Sequence, residues 1–158
     1  ISQPFIVALM IATLGLRGHE KVLEVGTGSG YQAAILSLLL PRGWVSTVEL
    51  VPALAERARN LLRDLGCHNV NVELAGPTLG CPGHDPFDAI IVAAASPKLP
   101  ESLVSQLAVG GTLVIPVGTL DQQDLVQAIR TDEGVSLRML GPCRFVPLIG
   151  REAFPKLQ

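Results

Sequence analysis

At 158 residues, 48% of them hydrophobic and 16% charged, the chain is long enough to bury one substantial core and too short for two, so a single domain over 1–158 is expected. Its formal net charge of -2 leaves no basic patch of the kind that non-specific nucleic-acid binding requires, which argues against nucleic acid as a partner. The three cysteines, Cys67, Cys81 and Cys143, fall in neither a C-x-x-C nor a Cys/His ligand spacing; they read as reduced thiols of a cytoplasmic protein, with no metal.

The first element is the apolar run Phe5 to Leu14. It stops well short of the ~20 residues that a membrane span needs. No basic region precedes it and no small-residue cleavage site follows, so it does not read as a signal peptide either. A helix buried on most sides is expected. Ser2 stands where an N-cap would, and Pro4 falls in the first turn, where proline is tolerated. The chain begins at Ile1 rather than methionine, and an upstream segment is expected to be missing.

Short β-rich runs then alternate with helical ones, the pattern of parallel strands joined by crossover helices. Strand one is Lys21 to Val25, followed by a helix from Ser29 to Leu40 that Pro41-Arg42-Gly43 ends. Strand two, Trp44 to Leu50, carries an acid at its end, Glu49. Pro52 opens an amphipathic helix, Ala53 to Leu65, which Gly66 stops. Strand three is Val70 to Leu74, and the glycine- and proline-rich segment Ala75 to Pro86 is a loop. Strand four, Phe87 to Ala93, is almost wholly apolar, as suits a strand covered on both faces. A helix from Pro100 through Leu107, a Gly110-Gly111 turn and strand five, Thr112 to Val117, come next. Asp124 to Arg130 and Val135 to Val146 form an antiparallel hairpin around Asp132-Glu133-Gly134.

The chemistry concentrates after strand one. In Glu24-Val25-Gly26-Thr27-Gly28-Ser29-Gly30-Tyr31 a strand ends in three alternating glycines, which permit positive φ and close approach of a ligand. A dinucleotide fingerprint has the spacing G-x-G-x-x-G, whose last position is here Tyr31. The E-x-G-x-G-x-G form suits S-adenosylmethionine better than NAD. Glu49 falls at the same sheet end, where a carboxylate can accept hydrogen bonds from both ribose hydroxyls. Taken alone it is equally a solvated strand-end acid, and the glycine turn decides for the ligand. Glu24 has two readings of equal weight: it faces the cationic end of the ligand, or it only accepts loop amides. His19, His68 and His84 sit in turn-like contexts and read as solvated loop residues. G-x-S-x-G, H-E-x-x-H and Walker motifs are absent from the sequence.

With these residues in view, the chain resembles the protein-L-isoaspartate O-methyltransferase family over nearly its whole length. The carriers are Ile1-Ser2-Gln3-Pro4, the glycine motif through Ala33, Pro86 to Val92, Ala94-Ala95-Ser96-Pro97, Gly110 to Gly118, and Arg144-Phe145-Val146-Pro147-Leu148. The glycine motif alone indicates a methyltransferase; I-S-Q-P and R-F-V-P-L are the family-specific parts.

The resemblance implies an α/β, Rossmann-like methyltransferase fold: a mostly parallel sheet with helices on both faces and a C-terminal antiparallel hairpin. It implies S-adenosyl-L-methionine as cofactor, S-adenosyl-L-homocysteine as product, and isoaspartyl-containing proteins or peptides as partners, with methylation initiating their repair. It further implies Ser2 as the active-site serine, with a plain N-cap as its competing role. Glu24, Gly26, Thr27, Gly28, Ser29, Gly30, Glu49, Leu50 and Gly76 fall to the cofactor. Val146, Pro147 and Leu148 fall to the substrate peptide, the alternative being an edge strand broken by proline. A missing general base is then expected, because an acceptor carboxylate of pKa about 3.5 is already ionised at neutral pH.

Two departures from the family stand out. Where the family has an acid after strand three that accepts a bond from the adenine amino group, this chain has Gly76 in Ala75-Gly76-Pro77-Thr78-Leu79-Gly80. The segment that in the family precedes I-S-Q-P, and helps to cover the active site, is expected to be missing, and with it a monomer that associates through exposed apolar surface of the first helix is expected. Methylation of another carboxylate in peptide tailoring, with altered choice at Ser96 and near Pro147, and a non-catalytic cofactor-binding scaffold are the competing functions.

Overall fold

Runs of aliphatic and β-branched residues closed off by glycine, proline or polar residues form the strands, and apolar positions at helical spacing form the helices between them. The computed structural model describes residues 2–156. In chain order its elements are α1 (Pro4–Thr13), β1 (Lys21–Val25), α2 (Tyr31–Leu39), β2 (Trp44–Glu49), α3 (Pro52–Asp64) and β3 (Val70–Leu74). They continue with β4 (Phe87–Val92), α4 (Glu101–Ser105), β5 (Leu107–Gly118), β6 (Gln123–Thr131) and β7 (Gly134–Cys143).

The seven strands form one sheet in the order β3-β2-β1-β4-β5-β6-β7. Pairings from β3 through β5 are parallel, and β5–β6 and β6–β7 are antiparallel. This is the Rossmann-like α/β architecture with its antiparallel C-terminal hairpin. Strand order reverses between β1 and β4, so the loops leaving their carboxyl ends diverge and open a crevice there.

Pleating divides the core between the two faces. Val22, Ala89 and Ile91 pack with Val7, Met10, Ile11, Leu14 and Leu36 under α1 and α2. Leu23, Ile90 and Val92 pack on the other side with Phe87, Leu103 and Leu148. Gly30 holds a positive φ of 84° at the N-cap of α2, and a Cβ there would lie 3.4 Å from the Ala58 Cβ, so this glycine lets α3 pack against the start of α2.

Several local expectations are corrected. Helix α1 is not buried on most sides: one stripe, Val7, Met10, Ile11 and Leu14, is covered, while Phe5 is 72% exposed. The i, i+3, i+4, i+7 spacing selects that stripe although nearly every residue is apolar. Ser2 is not the N-cap. Gln3 holds that position without a side-chain bond. The helix expected from Pro100 through Leu107 ends at Ser105, and β5 begins at Leu107, five residues before Thr112. Leu107 pairs with Phe87 while Thr112 pairs with Ala89, so the intervening glycines form a bulge inside the strand rather than a turn before it. The last strand ends at Cys143, and residues 144–148 leave the sheet. No helix among the described residues is long and apolar enough to cross a membrane.

Candidate active site

Two clefts of about 350 Å3 each open at the carboxyl ends of β1, β2 and β4. Both are walled by Gly26, Gly28, Ala93 and Val146. They therefore meet across the glycine turn, at the point where the sheet order reverses.

The first cleft runs from the turn past Glu49 and Leu50 to Gly76 and Gly80. Glu49 is 8% exposed, and both of its carboxylate oxygens accept backbone amides: Oε2 from Gly28 at 2.8 Å and Oε1 from Val51 at 3.0 Å. A carboxylate has about four acceptor directions, so two remain for a diol. Leu50, half exposed, adds an apolar wall beside it. A Cβ on Gly28 would meet nothing within 4 Å, which leaves the turn open to a ligand lying against its backbone.

The amides of this turn are already committed. Gly26 and Thr27 both donate to the Val48 carbonyl, at 2.9 and 3.2 Å, and Gly28 donates to Glu49. Binding of a pyrophosphate at a glycine turn depends on free amides and is helped by positive charge. Here those three amides are taken, the facing side chain is an acid, and no lysine or arginine lines the first cleft. An uncharged nucleoside with a cationic tail fits this lining. The residues present thus fit S-adenosylmethionine.

Glu24 lies beneath the turn rather than in it. It pairs with Thr47 across β1 and β2, is fully buried, and lines neither cleft. Thr47 donates to Glu24 Oε1 at 2.5 Å, and the Thr27 and Thr47 hydroxyls are 2.6 Å apart. Thr27 therefore spends its hydroxyl on the floor of the turn. Burial, with a smaller contribution from the Glu49 charge, raises the Glu24 pKa to about 8 against the pull of the Thr47 bond. Glu24 supports the turn through two threonine hydroxyls, and its other oxygen, Oε2, is buried with no hydrogen-bond partner among the described residues. Gly30, buried against Ala58, likewise lines neither cleft.

The loop after β3 is anchored by a residue the sequence reading passed over. Gln106, 3% exposed, accepts the Cys81 amide at 2.8 Å and donates to the Leu79 carbonyl at 2.8 Å. Gly80 holds a φ of 82° against that side chain, where any Cβ would collide with Gln106 Oε1. The far wall of the first cleft is thus held in place, and Gly76 sits in it with open space where a side chain would go.

The second cleft is lined by Ser2, Ser29, Tyr31, Gln32, Arg144 and Val146, among others. Since Ser2 does not cap α1, its hydroxyl is not committed to the helix. Arg144 is exposed and makes no salt bridge among the described residues. Gln32 is 8% exposed, and its Nε2 has no hydrogen-bond partner among the described residues. Nothing in their spacing gives Gln32 and Arg144 a role; what brings them together is the return of residues 144–148 across the sheet end.

That segment is divided by the structure. Ala95 donates its amide to the Val146 carbonyl at 2.8 Å, and Leu148 donates to Ala95 at 2.7 Å. Val146, 70% exposed, faces both clefts, whereas Pro147 and Leu148 wall only the first, with Leu148 in the core. Ser96 is fully buried and lines neither cleft.

A profile of the family described as protein-L-isoaspartate(D-aspartate) O-methyltransferase matches residues 1–153. The chain belongs to this family. It is 54% identical to a protein-L-isoaspartate O-methyltransferase of Syntrophotalea carbinolica, over 96% of this chain and 69% of that protein. Against the one from Geobacter metallireducens it is 52% identical, over 96% and 69%. Among solved structures, a protein-L-isoaspartate O-methyltransferase superposes with a TM-score of 0.89 at 29% identity, covering 97% of this chain and 49% of the other. A beta-aspartate methyltransferase from Plasmodium falciparum, described in complex with S-adenosyl-L-homocysteine, superposes with a TM-score of 0.79 at 28% identity, covering 92% and 74%.

Proposed function

We propose that the chain transfers a methyl group from S-adenosylmethionine to the free carboxylate of L-isoaspartyl residues in proteins or peptides, initiating their repair. The observation that carries this reading is the pair of clefts sharing Gly26, Gly28, Ala93 and Val146. One suits a nucleoside with a cationic tail, and the other places a serine hydroxyl and a guanidinium beside it.

When bound, S-adenosylmethionine supplies an electrophilic methyl carbon. Glu49 would hold the ribose hydroxyls, the turn from Gly26 to Gly28 would take the methionine portion, and Leu50 with the wall from Ala75 to Gly80 would take the adenine. In the second cleft Arg144 draws in the acceptor carboxylate by charge, and the Ser2 hydroxyl donates to one oxygen so that the other faces the turn. Val146 and Ala93 close the contact zone with apolar surface, which thins the water around the attacking oxygen. The acceptor is already ionised, so these residues need move no proton; rate comes from alignment and desolvation. Transfer of that methyl to the aligned carboxylate oxygen would leave a methyl ester and S-adenosylhomocysteine. The ester leaves the site and closes spontaneously to a succinimide, the following backbone nitrogen expelling methanol. Hydrolysis of that ring returns a fraction of the residues as normal aspartate. A cytoplasmic place of action fits the three cysteines, all unpaired.

Mass spectrometry of an isoaspartyl peptide incubated with the chain and S-adenosylmethionine tests the proposal. The methyl ester appears first, then the succinimide, then the normal aspartyl peptide. A peptide that stays unmodified while the chain binds S-adenosylhomocysteine overturns it in favour of a scaffold.

A further inference from the structure

Behind the adenine-side loop lies a cluster of side chains that the proposed reaction does not use. Glu73 ends β3, and Cys81 and His84 follow the loop. Their ligating atoms all lie within 4.8 Å of one another. The Cys81 Sγ is 3.6 Å from Glu73 Oε2, and His84 Nε2 is 3.3 Å from Glu73 Oε1.

We propose that Glu73, Cys81 and His84 form a binding site for a divalent zinc-like cation. With Zn–S, Zn–N and Zn–O bonds near 2.3, 2.0 and 2.0 Å, tetrahedral angles put sulfur and oxygen ligands about 3.5 Å apart and nitrogen and oxygen ligands about 3.3 Å apart. The third edge, between sulfur and nitrogen, lies within 4.8 Å and closes on binding, whereas the contacts at 3.6 and 3.3 Å already lie near those separations. They run to different oxygens of one carboxylate, so the cation binds Glu73 through either oxygen or both.

The donor set narrows the choice of ion. One thiolate, one imidazole and one carboxylate suit zinc or cobalt and disfavour magnesium or calcium, which take oxygen ligands. Asn71 donates its side-chain amide to Glu73 Oε1 at 2.5 Å, the kind of outer contact that orients a metal-binding carboxylate. Cys81 is buried, whereas residues 82–86 are exposed and the His84 side chain is half exposed, which leaves an entry path and a fourth position for water. Two further charges act on the thiol, Asp85 favouring the cation and Lys21 opposing it. The thiol proton passes to solvent as the sulfur–metal bond forms.

Position in the chain explains why sequence spacing concealed the set. Cys81 and His84 sit only three residues apart, but their third partner arrives from the end of a strand. A cation held there ties residue 73 to residues 81 and 84 and so staples the loop that carries Gly76 and Gly80. This inference does not depend on the methyltransferase reading.

Titration of the full chain with Co2+, followed by absorption spectroscopy, tests it. One Co2+ per chain is expected to raise a thiolate-to-metal charge-transfer band in the near ultraviolet, which excess Zn2+ removes. The band disappears in Cys81→Ser and persists in Cys67→Ser and Cys143→Ser. His84→Ala, at a half-exposed position that spares the core, weakens Co2+ binding by at least about tenfold with an unchanged far-ultraviolet dichroism spectrum. Absence of the band, its dependence on Cys67 or Cys143, or indifference to His84 overturns the proposal.

Discussion

Gly28 and Glu49 lie 21 positions apart in the chain and are joined by a 2.8 Å hydrogen bond from the glycine amide to the carboxylate. One side chain therefore shapes the turn and, on the proposed function, presents the acceptor for the ribose. In Glu49→Gln the amide nitrogen would face one of the two backbone donors, and the charge on the hydroxyl bonds would be lost. Hydrogen bonds to charged groups are worth about 1.5–3 kcal/mol, so affinity for S-adenosylhomocysteine falls on the order of 10- to 100-fold. Isothermal titration measures it, and a change smaller than about twofold contradicts the assignment.

Gly76 offers the opposite kind of test, a gain. Its φ lies outside the left-handed range and a Cβ would meet nothing within 4 Å. Gly76→Asp therefore adds a carboxylate to the far wall of the first cleft without strain. One bond from the adenine amino group to that exposed carboxylate is worth about 1.5 kcal/mol, the low end for a charged acceptor, so S-adenosylhomocysteine binds roughly tenfold more tightly. Weaker binding by the variant would place the adenine elsewhere.

On the proposed function, Ser2 and Arg144 act on the acceptor and not on the cofactor. Because Ser2 caps nothing, Ser2→Ala leaves the melting temperature and the cofactor affinity unchanged while lowering kcat/KM for an isoaspartyl peptide by about tenfold. Arg144→Ala raises KM by about as much, and Arg144→Lys restores part of it by keeping the charge without the planar fork. Steady-state kinetics with two peptide lengths read both effects. Loss of thermal stability in Ser2→Ala would show a structural role instead.

Burial of Glu24 makes stability depend on pH. Its folded pKa of about 8 stands above the ordinary 4.5, so the folded chain keeps a proton there that the unfolded chain gives up. Stability from this site is complete below about pH 4.5 and declines as pH rises to about 8, where the folded carboxyl ionises. Glu24→Gln stays neutral throughout. Relative to the parent chain it gains on the order of a few kcal/mol between about pH 5 and about pH 9, measured by urea unfolding. Parallel pH curves for the two proteins would falsify the shift.

Much of the sheet was readable because its signals are local. The bounds expected for β1 and β3 coincide with those observed, since β-branched runs end there at glycine, proline or polar residues. The start of β5 was not readable, because it depends on Leu107 meeting Phe87, a partner 20 residues back in the chain. The same distinction runs through the site. Gly26, Gly28 and Glu49 announce themselves by spacing and strand position. The burial of Glu24 depends on Thr47, the anchor of the adenine-side loop on Gln106 meeting Cys81, and the second cleft on residues 144–148 crossing back to Ser2. Each of these joins segments that no periodicity links.

Methyl transfer from labelled S-adenosylmethionine to an isoaspartyl peptide, run beside the same peptide with normal aspartate, tests the central claim most directly. The account predicts base-labile label on the isoaspartyl peptide alone, abolished by excess S-adenosylhomocysteine and sharply reduced in Glu49→Gln. Equal labelling of both peptides, or label on neither while S-adenosylhomocysteine binds, would contradict it.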